Sequence, residues 1–311
     1  MIATDYSSMV SNPIAMWPVL ALVFNAFVWG ISWWPLRYLH DHGLHPLWST
    51  VLIFSACTVV VGIWRPVAVK EALTTPSMWV LILAAGCTNA AFNWAVSIGD
   101  VVRVVLLFYL APLWTVLFSR LLLDEQLTRH AALQVGLALV GAAIVLWPDH
   151  HATATVMQRL PLPRDLPEFL GALGGLSFAL NNVMLRREAA RSGSARAWSM
   201  FFGGAFVAGI LATALTLWGH MAAPPTLEVG WLLPALILSL TFLASNMALQ
   251  YGAARLPSHV TSVVMTSEVV FASISAFLWG AGALTLQTCL GGGVILLAAL
   301  LSSLNTDHVE Q

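Results

Sequence analysis

Asn89-Ala-Ala-Phe-Asn93-Trp94 and Asn246-Met-Ala-Leu-Gln250-Tyr251 are the two stretches from which the fold is read, the second standing about 157 residues after the first. Around them the chain repeats itself. Leu106 to Leu117 runs like Val263 to Ser273, and Trp48-Ser49 matches Trp198-Ser199. These last pairs follow apolar segments that end in Leu36-Arg37 and Leu185-Arg186. Both halves consist almost entirely of apolar segments long enough to cross a bilayer, so the duplication is one of membrane-spanning units.

Composition agrees. The 311 residues are 59% hydrophobic and only 9% charged, with a mean hydropathy of +0.83, which belongs to a chain whose solvent is lipid. A net charge of -1 disfavours nucleic acid as a partner. Cys57, Cys87 and Cys289 lie inside apolar runs with no CxxC pair, so neither a disulfide framework nor a zinc site is indicated. The first 15 residues lack the basic region of a secretory signal, so the run from Met16 reads as a retained first helix.

A crossing helix needs about 20 largely apolar residues. Ten segments qualify: Met16–Leu39, Pro46–Arg65, Met78–Ile98, Val101–Leu123, Ala131–Trp147, Leu166–Arg187, Ala197–Gly219, Val229–Tyr251, Ser258–Gly280 and Thr285–Leu304. Pro148 to Pro167 is polar and proline-rich, the natural seam between a first unit, 1–150, and a second, 151–311. Five crossings per unit is an odd number, so similar units must enter from opposite faces as an inverted repeat. With the N-terminus inside, Arg65, Lys70, Arg120, Arg129, Arg186, Arg187, Arg191, Arg196 and Arg255 fall on the inner side. Arg37, Arg103, Arg159 and Arg164 fall outside, and this excess predicts that both termini are cytoplasmic. Duplicated multi-spanning halves point to a transporter with its path at the repeat interface.

Several residues resemble a known family. Phe27-Val28-Trp29-Gly30, Tyr109-Leu-Ala-Pro112-Leu, Leu121-Leu-Leu-Asp124-Glu125-Gln-Leu and Gly136-Leu-Ala-Leu-Val-Gly141 are similar to the EamA-type repeat of the drug/metabolite transporter superfamily. The second half departs from the pattern: Glu268 stands about where Pro112 would fall, and Trp279-Gly-Ala-Gly-Ala replaces the acidic turn. Within the superfamily the Trp-rich first helix and Asn-rich third and sixth helices most resemble YddG-type exporters of aromatic amino acids in Gram-negative bacteria. The resemblance implies an all-α protein of ten helices, two inverted five-helix repeats around a central cavity, exporting substrate across the bacterial inner membrane.

Candidate site residues follow from helical spacing. Asn89 and Asn93 sit one turn apart, as do Asn246 and Gln250, and facing amides can hydrogen-bond a substrate's carboxylate and ammonium or glue helices together. Asn181 and Asn182 are adjacent and point about 100° apart, so one of them faces the path. Asn25, Trp29 and Trp33 form a stripe on the first helix. Trp29 is the candidate for stacking on an aromatic ring or a cation, with Phe178 as its counterpart. The alternative is that Trp29 packs on neighbours and Trp33-Trp34 belong to the interfacial belt. Tyr109 lies within one turn of Pro112, which removes a backbone hydrogen bond and predicts a kink. Gly30 is a candidate hinge.

Glu268 lies far from either end of its predicted helix, aligned with Thr261, Met265 and Ser275. An ionised carboxylate at that depth costs about 3 kcal/mol or more, so it is paired, protonated or beside water. It is a plausible proton acceptor or contact for a substrate ammonium. No basic residue falls at mid-membrane, which argues against phosphorylated cargo.

Other classes are excluded by missing chemistry. The chain has no Walker A sequence, no HExxH, no GxSxG and no paired aspartates within helices, so no cofactor, metal or catalytic residue is expected. The His40-Asp41-His42 to His45 run has ligand-like residue types in a short external loop. The expected function is export of amino acids, preferentially aromatic, by a chain sufficient as a monomer. Flat cations, drugs or other small neutral metabolites are the alternative cargo, and a lipid-handling or structural membrane protein the alternative class.

Overall fold

The computed structural model describes residues 16–124, 129–145, 147, 163–224, 229–253, 255, 264, 265 and 267–304. Among these the secondary structure is helical, without strands. The helices are α1 (Met16–Ile31), α2 (Trp33–Asp41), α3 (Pro46–Trp64), α4 (Pro66–Thr74), α5 (Pro76–Ile98), α6 (Val101–Phe108) and α7 (Ala111–Leu123). There follow α8 (Arg129–Val145), α9 (Leu166–Arg187), α10 (Gly193–Leu217), α11 (Val229–Ala253), α12 (Ser267–Leu278) and α13 (Leu286–Leu304).

Among the described residues, seven helical spans are long and apolar enough to cross a membrane: α1 with α2, α3, α5, α6 with α7, α9, α10 and α11. Shorter apolar helices occupy the places of the fifth, ninth and tenth segments. The seam at residues 148–162 lies outside the described residues, as do Glu125 and Thr261.

Two of the long spans are interrupted, each for a reason written in proline. The first breaks at Ser32, between α1 and α2, three residues before Pro35, whose ring removes a donor and crowds the preceding turn. The fourth breaks at Tyr109-Leu110, and α7 starts with Pro112 in its first turn. The kink expected from Pro112 is thus a full break, set three residues earlier in the chain. The carbonyl that the missing Pro112 N–H would have bonded is that of Phe108. It lies against Gly175 of α9, where any Cβ would collide with it.

Prolines also open helices α3, α4 and α5, where a missing N–H is harmless. Polar caps set other starts: Asp100 accepts from the Arg103 N–H, Asp165 from Glu168 and Ser192 from Ala195.

Small residues decide the closest crossings. Gly86 of α5 and Gly203 of α10 bring their backbones into contact, leaving no room for a Cβ at either. At Gly141 of α8 and Gly291 of α13 the contact is reciprocal. A Cβ on Gly141 would lie 2.8 Å from the Gly291 carbonyl and 2.9 Å from the Ile295 nitrogen. A Cβ on Gly291 would lie 2.8 Å from the Gly141 carbonyl and 2.9 Å from the Val145 nitrogen.

Candidate functional site

The stripe on the first crossing faces the second half of the chain along its whole length. Asn25, 1% exposed, donates from Nδ2 to the Ser245 hydroxyl at 2.6 Å and the Ser245 carbonyl at 2.9 Å. One turn on, Trp29 stacks on Phe242 of α11 with ring centroids 4.6 Å apart and planes 15° from parallel. Beyond the break, Trp33 donates from Nε1 to the Ser275 hydroxyl of α12 at 2.9 Å. Trp33 is buried, and Trp34 is the exposed ring, beside Trp279. Of that pair only Trp34 has a belt residue's exposure.

Gly30 sits where α1 meets α12. A Cβ there would lie 2.7 Å from Cβ of Phe271 and 2.8 Å from the Glu268 carbonyl. Its lack of a side chain lets the two backbones touch two residues before the Ser32 break. Close approach, as well as any hinge, therefore requires glycine here.

Glu268, in the first turn of α12, is half-buried, and its Oε2 accepts from the Tyr109 hydroxyl at 3.4 Å. Tyr109 is the residue at which the fourth crossing breaks. Gly30, Tyr109 and Glu268 are thereby joined into one locus between the halves, with Trp29 next to Gly30 in the chain. Phe178 reaches it through Phe108: the ring of Phe108 lies 5.0 Å from Phe178, 4.8 Å from Phe92 and 6.0 Å from Tyr109. Trp29 belongs to a separate aromatic group, in which Phe242 contacts Phe54 at 5.9 Å and Phe54 contacts Phe201 at 6.0 Å. The aromatic side chains thus form two separate groups, one reaching Glu268 through Tyr109, rather than one ring wall.

The amides do less as a set than their spacing allows. Asn93 is fully buried and donates from Nδ2 to the Thr50 hydroxyl of α3 at 3.1 Å, an interhelical tie. Asn89 donates from Nδ2 to the Ala85 carbonyl of its own helix at 2.8 Å. Asn181 is buried and donates to Oδ1 of the half-buried Asn182 at 3.4 Å. Oδ1 of Asn25, Asn93 and Asn181 are buried acceptors without a protein partner. Asn246 is half-buried, and the side chains of Gln250 and Pro112 lie outside those described.

Sequence reasoning missed the partners Thr50, Ser245, Phe242 and Phe108, because periodicity gives a residue's face and not the helix opposite it. It also missed a polar tie at the end of the molecule holding the α9 start. Arg103 donates from Nε to Glu168 Oε1 at 2.8 Å, and Oε2 accepts from the Arg164 backbone at 2.9 Å. Nearby, Arg37 donates from Nη2 to the carbonyls of Val96 and Gly99 at the end of α5. The first tie joins charges in the first turns of α6 and α9; the second joins Arg37, in the middle of α2, to carbonyls at the end of α5. Among the described residues no group of three or more His, Cys, Asp or Glu side chains is placed to hold a metal ion.

Comparison with known proteins bears on the fold and on the first half. Nineteen chains of solved structures match this one. One of them, titled only as the crystal structure of a protein, aligns over 94% of this chain and 99% of its own, with a TM-score of 0.56 and 18% identity. That likeness concerns the fold alone. Among curated proteins there is no match. Residues 16–147, from the first residue of α1 to just past the end of α8, match the EamA-like transporter family. The match is a likeness of the first half of the chain to that family and covers less than half of the 311 residues.

Proposed function

We propose that the whole chain is a ten-helix inverted-repeat transporter of the drug/metabolite type, exporting amino acids, aromatic ones preferentially, across a bacterial inner membrane. Helix pairing supports the repeat. α5 packs on α9 as α11 packs on α1; α6 and α7 pack on α9 as α12 packs on α1; α5 packs on α10 as α11 packs on α3. α3 pairs with its own counterpart α10, and α8 with α13. Exchanging the halves leaves this pattern unchanged, as a two-fold axis in the membrane plane requires, and the reciprocal Gly141–Gly291 contact fits a position on that axis. Both termini are then cytoplasmic, with one chain sufficient as the functional unit and no cofactor.

The observation that carries the substrate reading is the Tyr109–Glu268 pair at the helix break, with Trp29 and Gly30 alongside. A carboxylate in lipid needs a counter-charge or a proton. A substrate ammonium supplies the first, displacing the phenol from Glu268. The aromatic groups around Trp29–Phe242 and Phe108–Phe178 offer faces for a ring, and the buried amide oxygens offer acceptors for the polar end. An acid between aromatic faces also suits a flat cation, the second reading.

The test is uptake into liposomes of labelled phenylalanine, threonine and a quaternary cation, with and without a pH gradient. Phenylalanine flux that exceeds threonine flux and falls with Glu268→Gln supports the reading. Cation flux alone reassigns the cargo, and acceleration by the gradient adds proton coupling.

A further inference from the structure

The helix α4 and the end of α3 carry a surface that the transport site does not use. We propose that it binds the headgroup of an anionic phospholipid, through Arg65 and Lys70, with Trp64 and Val67 set among the acyl chains beside it.

The short helix is two-faced. Ala68 and Ala72 are buried, and Val69 packs on the core beside Gly62. The opposite stripe holds Val67, 78% exposed, then Lys70, then Leu73. Ile63 and Trp64, at the end of α3, are 78% and 61% exposed, and the Arg65 guanidinium lies over the Trp64 ring at 5.3 Å. Large apolar side chains interleaved with cations are unfavourable against water alone and suited to the headgroup boundary of a bilayer, where tryptophan concentrates.

The nearest acid is taken out of play. Glu71 follows Lys70, yet its carboxylate is turned to the start of α10, where Oε2 accepts from the Ser192 hydroxyl at 2.7 Å and Oε1 from the Ser192 N–H at 3.2 Å. Those bonds, with Arg191 and Arg196 nearby, hold its carboxyl below the usual range. Arg196 is occupied by the carbonyls of Glu188, Ala189 and Arg191, and Arg191 pairs with Glu188 at 3.6 Å. The exposed surface where α3 meets α4 is left with Arg65 and Lys70 as its charges, complementary to a phosphodiester. The reasoning rests on the membrane reading of the chain and is independent of its cargo.

The test uses the full-length protein in phosphatidylcholine vesicles containing phosphatidylglycerol, with one lipid or the other brominated. Quenching of Trp64 is read as the difference between the wild type and Trp64→Phe. Two cations near an anionic surface predict at least about five-fold tighter association of the brominated phosphatidylglycerol, weakened by salt. Arg65→Gln with Lys70→Gln removes the preference, and Lys70→Glu alone reduces it, each at an unchanged unfolding temperature. Equal quenching by both lipids overturns the proposal, as does a preference that survives the double substitution. Displacement by soluble glycerol 3-phosphate, which marks a free-anion site, overturns it too, and so does quenching abolished by a second copy of the chain covering the face.

Discussion

The two helices that carry the similar polar pairs, α5 and α11, are counterparts in the proposed repeat and are packed very differently. In the apolar window of α5, 78% of residues are buried; in that of α11, 28% are. Side-chain size explains the contrast. α5 presents Ala84, Ala85, Gly86, Ala90, Ala91 and Ala95, all buried between α9 and α10, so neighbouring backbones come close enough to touch. α11 presents Leu233, Leu236, Ile237, Leu240 and Met247, all exposed where lipid would lie, and carries Pro234 inside it. Asn93 is accordingly locked to Thr50 at full burial, while Asn246 keeps partial exposure. α5 is held by close backbone contacts, and α11 is held more loosely. Residue volume sets how tightly each of the two helices is held.

The largest expected effect comes from filling the tight crossing. Gly203→Val puts a branched side chain into the Ile82 carbonyl and should cost about 3 kcal/mol or prevent folding. Gly230→Ala, at the start of α11 with nothing within 4 Å, should leave the unfolding temperature in detergent unchanged or slightly raised. Equal losses at both positions would break the contrast between the helices.

Next come the amides. Asn93→Leu removes an interhelical bond and should lower stability by about 1 kcal/mol. Asn246→Leu should leave stability nearly unchanged while reducing phenylalanine flux. Thermal unfolding and uptake measured on the same preparations separate the two effects.

A smaller change is expected at the ring face. Trp29 stacks on Phe242; if its ring also pairs with the substrate's, Trp29→Ala removes about 0.5–1.5 kcal/mol of that pairing, or roughly two- to ten-fold in phenylalanine uptake relative to threonine uptake. Equal loss for both substrates would assign Trp29 to packing.

The smallest effect is a pH dependence at the start of α3. His45 accepts from the Leu47 N–H through Nδ1, and burial together with nearby His40 lowers its pKa from 6.5 to about 4. The unfolded chain therefore binds a proton first as pH falls. Stability from this group is complete above pH 6.5 and declines toward pH 4. Between neutral pH and the middle of that window, the wild type should lose about 2 °C more than His45→Asn, which keeps a capping oxygen.

Much of the fold is legible in the residues themselves. Hydropathy locates the apolar segments because length and composition alone decide whether a helix can cross lipid. Proline marks the fourth span's interruption, though the break falls at Tyr109-Leu110 because the carbonyl released is that of Phe108. The break at Ser32 has the same cause in Pro35, overlooked inside a continuous apolar run. α4 escapes a reading tuned to long apolar segments, being nine residues of mixed character. The site is less legible. Spacing puts Asn25, Trp29 and Trp33 on one face, and that face does meet the second half. Nothing in spacing says that Tyr109 meets Glu268, or that Asn93 meets Thr50, because partners come from helices distant in sequence.

Phenylalanine uptake into liposomes by wild type, Glu268→Gln and Tyr109→Phe, each with an unfolding temperature equal to wild type, tests the path through the repeat interface most directly. Flux should fall by about ten-fold or more for Glu268→Gln, as expected for loss of a charge-assisted contact worth roughly 1.5–3 kcal/mol, and by less for Tyr109→Phe. Wild-type flux in both variants would contradict a substrate path that passes Glu268.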